Sequence, residues 1–139
     1  MTPVSASAWP EHIGKNDFVL PVPETLANAC VATLPHDSSR PLFHDKHGWI
    51  NRKEFLQRTL ELAGSFKQIG LKKGDRILIS GPSTIDLAIA HMAALRFGLI
   101  VVPVNGLYQK AELEHVIKDA SPQAALIDHP NWKEWIDSI

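Results

Sequence analysis

The chain has 139 residues and a mass of 15.4 kDa, enough for one compact core and too short for several. Its 14 Lys+Arg against 15 Asp+Glu leave a formal charge of −1, which argues against a basic nucleic-acid surface, and 45% hydrophobic with 21% charged residues excludes wholesale disorder. The single Cys30 excludes an intrachain disulfide and a multi-thiolate zinc site within one chain.

Residues 1–23 read as an irregular lead-in, because Pro3, Pro10, Pro21 and Pro23 fix backbone angles and remove donors. Met1 to Trp9 has neither the basic start nor the apolar centre of a signal peptide. No run of about 18 apolar residues marks a membrane helix, so a cytoplasmic protein is expected. Residues 24–34 predict a short helix, with Leu26, Cys30 and Leu34 at helical spacing. Leu42–His44 and Trp49–Ile50 read as two short strands around the turn Asp45-Lys46-His47-Gly48.

Asn51 then caps a long helix through Ile69, with Glu54 three residues on as in a capping box. Phe55, Leu62, Phe66 and Ile69 form its apolar face, and Gly70 stops it. Arg76–Ser80 reads as a strand, and Gly81-Pro82-Ser83 as a turn whose Ser83 caps a helix to about Phe97. Ile85, Ile89, Met92 and Ala93 form that helix's buried face, and Gly98 ends it. Leu99–Val104 reads as a second strand, Lys110–Ala120 as a helix and Ala124–Ile127 as a third strand. Residues 131–139 form a last amphipathic stretch with Trp132, Trp135 and Ile136 aligned. This order is βαβαβ. The nearly continuous apolar strands imply a parallel sheet covered on both faces, so the fold class is α/β. Leu78 and Val101 are expected to be buried in adjacent parallel strands.

Chemistry is sparse. The strand-to-helix turn Ser80-Gly81-Pro82-Ser83-Thr84 has the position of an anion site. It lacks the lysine of a phosphate loop and the dinucleotide fingerprint, so a plain capped loop is the preferred reading. His44 and His47 with Asp45 sit on a turn without a further ligand cluster, which favours exposed turn residues over a metal site. His91 and His115 read as surface or packed histidines. His12, His36 and His129 are loop residues without a nameable partner. Cys30 reads as a structural thiol. Trp132 and Trp135 read as packing residues. No residue is assigned a catalytic, cofactor-binding or metal-ligating role.

The segments nevertheless carry a resemblance. Trp49–Phe55 (WINRKEF) resembles the opening of the first long helix of AMP-forming adenylating enzymes. Ile69–Ile79 (IGLKKGDRILI) is similar to their helix-to-strand passage, and Leu95–Asn105 (LRFGLIVVPVN) to their LKAGAVVVPVN strand. Leu107-Tyr108, Glu112-Leu113 and Asp119-Ala120-Ser121 continue the match, which runs from about Leu26 to Ile127. Val104-Asn105 followed by Leu107-Tyr108 resembles the fatty-acid acyl-CoA synthetase branch, whereas peptide-synthetase adenylation domains usually carry Asp at the position of Asn105. Gly106 stands where Pro is common, and Gln109 where a capping Thr is common.

The resemblance implies residues 24–139 as the N-terminal α/β portion of an AMP-binding domain, truncated before its phosphate loop. The family uses ATP, Mg²⁺ and CoA to convert a carboxylic, here fatty, acid to acyl-AMP and then acyl-CoA. Its phosphate loop and C-terminal lysine are absent from this sequence, so the chain alone is expected to be inactive and to self-associate through surfaces other segments would cover. Alternative readings are a piece of an aryl-CoA ligase or of a peptide-synthetase adenylation domain, or a non-catalytic interaction module.

Overall fold

The computed structural model describes residues 30–32 and 34–139. The irregular lead-in lies outside the described residues, and of the expected helix over 24–34 the structure describes residues 30–32, which are helical, and Leu34, which lies in a bend.

Strands β1 (Pro41–Asp45) and β2 (Gly48–Asn51) form an antiparallel hairpin in which Asp45 faces Gly48. Its turn is fixed locally. The Asp45 carboxylate accepts the His47 N–H at 2.8 Å, and Gly48 takes φ +118°, a region open to glycine at no steric cost. β2 runs directly into helix α1 (Arg52–Gln68) through Asn51, whose side-chain oxygen accepts the Glu54 N–H at 2.9 Å. Phe55, Thr59 and Phe66 are the buried residues of α1, and the Thr59 hydroxyl donates to the Phe55 carbonyl at 2.7 Å. Ile69, expected on this face, is 69% exposed because the helix has ended before it.

The remaining elements are β3 (Arg76–Ser80), α2 (Ile85–Phe97), β4 (Ile100–Pro103), α3 (Lys110–Ala120), β5 (Ala124–Ile127) and α4 (Trp132–Asp137). The three strands form one parallel sheet of order β4-β3-β5, with Ile77 beside Val101 and Ala124. Alternation along β3 sends Ile77 and Ile79 into one core and Leu78 into another. The first core is closed by Phe66 of α1 and by Ala90, Ala93 and Ala94 of α2. The second joins Leu78 to Leu113 of α3 and Trp132 of α4. A third cluster, Ile50, Phe55, Ile85 and Ile89, joins the hairpin and α1 to α2.

The expectations hold with adjustments. Thr84 rather than Ser83 caps α2, its hydroxyl accepting the Leu87 N–H at 3.3 Å. The second strand covers Ile100–Pro103, inside the wider 99–104. Leu78 is fully buried, but Val101 is only half-buried because β4 is an edge strand. Gln109 proves a supported cap: its backbone N–H donates to Glu112 Oε2 at 2.7 Å. Gly98, at φ +90°, ends α2, and a Cβ there would lie 2.8 Å from Lys73 Cγ.

Candidate functional site

In an open α/β sheet, a crevice forms beyond the carboxyl ends of two neighbouring strands whose following segments leave toward opposite faces. Here β3 leads into α2 on the face of Ile77 and Ile79, while β5 leads into α4 on the face of Leu78. A cleft of about 540 Å³ lies at that point. Leu62, Ile79, Ala90 and Leu126 supply apolar walls. Lys46, His47, Arg58, Glu61, Asp86 and Asp128 supply the charge.

The N-terminus of α2 borders this cleft, and two N–H groups of its first turn are already taken. The Ile85 N–H donates to Asp45 Oδ2 at 3.0 Å, and the Leu87 N–H to Thr84 Oγ1. Asp45 therefore acts as a second cap on α2, reaching across from the hairpin turn. The bond from Ile85, and next that from the His47 N–H, hold its carboxyl below the usual value of 3.8. Asp86, in the first turn, adds another carboxylate and pairs with Arg58 of α1. The position that the Ser80–Thr84 turn shares with anion sites is thus filled by the protein's own carboxylates. The helix dipole is satisfied by Asp45 and Asp86, and a further phosphate would meet like charge.

The other sequence candidates are spread over the surface. His44 stacks on Trp49, with ring centres 4.7 Å apart. His91 Nδ1 lies 2.9 Å from the Leu87 carbonyl, to which it donates. His115 lines a shallow groove with Tyr108 and Glu112. His129 lies against Trp132 and Trp135. Among the described residues no group of three or more His, Cys, Asp or Glu side chains is placed to hold a metal ion. Cys30 is half-buried. Asp45 is the residue whose role the sequence reading missed: it was a turn residue there, and its bond to Ile85 spans 40 positions. The same Asp-x-x-Gly pattern that marks the turn gives no sign of that second partner.

The motif segments fall at junctions of the scaffold. WINRKEF is the passage from β2 into α1, IGLKKGDRILI that from α1 into β3, and LRFGLIVVPVN that from α2 into β4. Comparison with known proteins agrees with this layout: the model of the AMP-binding enzyme family matches residues 31–138. The chain belongs to the AMP-binding enzyme family. Among curated relatives, the long-chain-fatty-acid–CoA ligase of Salmonella typhimurium is 34% identical over 104 residues, covering 70% of this chain and 18% of the ligase. The mitochondrial medium-chain acyl-CoA ligase of Macaca fascicularis is 31% identical over 125 residues, covering 88% of this chain and 20% of its own. ATP-bound MatB from Rhodopseudomonas palustris superposes with a TM-score of 0.73 at 24% identity, over 81% of this chain and 22% of MatB, a likeness of fold. The chain spans about a fifth of the length of the curated relatives it matches.

A triphosphate needs free N–H donors or an uncompensated cation. Here two N–H groups of the first turn of α2 are bonded internally and Arg58 is paired, while Lys46 lines the cleft together with the carboxylates Glu61, Asp86 and Asp128. No residue of this chain is given a catalytic or nucleotide-binding role.

Proposed function

We propose that this chain supplies the N-terminal α/β scaffold of an AMP-forming acid–CoA ligase acting on a fatty acid. In that reaction the carboxylate attacks the α-phosphate of ATP, forming acyl-AMP and releasing pyrophosphate. The thiol of CoA then displaces AMP to give the acyl-CoA thioester. The observation that carries the reading is the match to AMP-binding enzymes over residues 31–138, together with fatty-acid–CoA ligases above 30% identity.

The chain's own contribution is structural. It builds the β4-β3-β5 sheet, and α2 is capped from within by Asp45 and Thr84. The developing phosphoryl charge of the first step requires several cationic groups and donors, and of the cleft's Lys and Arg side chains Arg58 is paired with Asp86, which leaves Lys46 among the described residues. The 139-residue polypeptide therefore forms no acyl-adenylate by itself. Pyrophosphate release is to be measured with ATP, Mg²⁺ and a panel of fatty and aromatic acids. The expected result is release equal to a protein-free control for every acid. Turnover that copurifies with the chain through several columns overturns the assignment as a scaffold portion.

A further inference from the structure

Of the chain's asparagines, only Asn105 is followed by glycine. The pair lies in the loop between β4 and α3, and two hydrogen bonds fold that loop back on it. The Asn105 side-chain oxygen accepts the Leu107 N–H at 3.0 Å, and the Asn105 main-chain carbonyl accepts the Tyr108 N–H at 3.0 Å. The first bond closes a ring of atoms that contains the Asn105–Gly106 peptide link, so the carboxamide is held folded over that link. A donor on the carboxamide oxygen also draws electron density from Cγ and makes that carbon more electrophilic. Gly106 has no Cβ, so its own residue does not shield the adjoining nitrogen.

The other described asparagines lack this arrangement. Asn51 caps α1, with its side-chain oxygen on the Glu54 N–H at 2.9 Å, and the residue after it, Arg52, is already helical. Asn131 is followed by Trp132, whose side chain is fully buried and whose N–H donates to the His129 carbonyl at 3.4 Å. In both, the next peptide nitrogen is fixed by regular structure or by a packed side chain.

We infer that Asn105-Gly106 is a site of spontaneous covalent modification, deamidation through a cyclic imide. The Gly106 nitrogen loses its proton to base and attacks Asn105 Cγ. A C–N bond forms, the bond from Cγ to Nδ2 breaks, and ammonia leaves carrying a proton. Water then opens the succinimide ring at either carbonyl. Opening at Cγ gives an aspartyl residue at position 105, and opening at the main-chain carbon gives an isoaspartyl residue. In the balance a water is consumed and an ammonia released, with no oxidant or reductant.

The two products act differently on the loop. The aspartyl form keeps an oxygen for the Leu107 N–H and makes the formal charge one unit more negative than −1. The isoaspartyl form routes the main chain through Cγ, adds a methylene to it and takes the acceptor away from the Tyr108 N–H. The turn leading into α3 is then loosened. Every group involved lies within residues 105–108, so the modification requires neither the ligase reading nor a partner.

The test is to age the folded 139-residue chain in mildly alkaline water enriched in heavy oxygen and to resolve its peptides by chromatography and mass. The expected result is that the peptide holding Asn105 divides into aspartyl and isoaspartyl forms, each with one heavy oxygen, and does so faster as pH rises. The peptides holding Asn51 and Asn131 are expected to remain amides, and the Tyr108 amide to lose protection in step with the isoaspartyl form. Gly106→Pro removes the attacking N–H and is expected to abolish both products. If that variant loses the far-UV signature of the fold, the parent chain decides alone, because the isoaspartyl form arises only through the ring. Asn105 persisting as an amide for as long as Asn51 overturns the inference. So does an aspartyl product without the isoaspartyl one, or conversion that a folded Gly106→Pro variant retains.

Discussion

Ser80 ends the central strand at 5% exposure, and its hydroxyl has no hydrogen-bond partner among the described residues. A buried hydroxyl without a partner forfeits its hydration and gains nothing in return. A Cβ built on Gly106 would lie 3.7 Å from that oxygen, so the hydroxyl sits under the β4–α3 loop in ordinary contact. Ser80→Ala is therefore expected to raise stability by about 1 kcal/mol, read as a higher urea midpoint with an unchanged slope. A lower midpoint shows that the hydroxyl has a structural role the fold conceals. Nothing at the sequence level marked this residue as different from a solvated turn serine, because its burial comes from the loop that follows β4.

The hairpin and α2 are distant in sequence and are joined by one carboxylate. Asp45 accepts from Ile85 at the start of α2 and from His47 in its own turn. Both bonds favour the ionised form, so the folded carboxyl titrates below the ordinary 3.8. The sign follows from linkage. The contribution is fully present above the ordinary carboxyl value and is lost as pH falls through the lower folded value. Acidification from neutrality to below 3.8 is thus expected to lower the protection of the Ile85 amide, its exchange rate taken relative to the intrinsic rate at each pH. The other groups near this contact are His44 and His47 on the hairpin and Asp86 on α2, with Arg58 of α1 paired to Asp86. Asp45→Asn keeps the shape and removes the charge. It is expected to destabilise the docking of the hairpin at neutral pH and to flatten the acid dependence of Ile85 exchange. An unchanged acid profile in Asp45→Asn assigns that dependence to another carboxyl, Asp37 or Glu114, both also held low by hydrogen bonds.

Across the whole molecule, β3 holds two cores together. Ile77 and Ile79 face α1 and α2, and Leu78 faces α3 and α4. Trp132 is fully buried against Leu78 and Leu113, so the C-terminal aromatic stretch packs back onto the sheet. Leu78→Asp would put a carboxylate in contact with Leu113 and Trp132, where no cation is present in the cluster. The expected cost is several kcal/mol, comparable to the entire stability of a domain this size. Far-UV dichroism is expected to show an unfolded chain at room temperature. Val101→Asp is expected to cost less, since β4 is at the edge and Val101 is half-buried. Equal unfolding midpoints for the two variants would place the strands differently from the order β4-β3-β5.

The sequence by itself determined the element types and their order. Alternation and helical spacing act between near neighbours, and caps such as Asn51 and stops such as Gly98 act within one turn. The bounds of α3 and β5 were legible to the residue for that reason. It also carried the family, through three segments that set how helix meets strand. Tertiary structure decided the strand order, which places β3 at the centre and β4 at an edge, and with it the half-burial of Val101. It decided the second cap from Asp45, the burial of Ser80 and the cleft between α1 and β5. Each of these depends on residues tens of positions apart meeting in space, which no local pattern encodes.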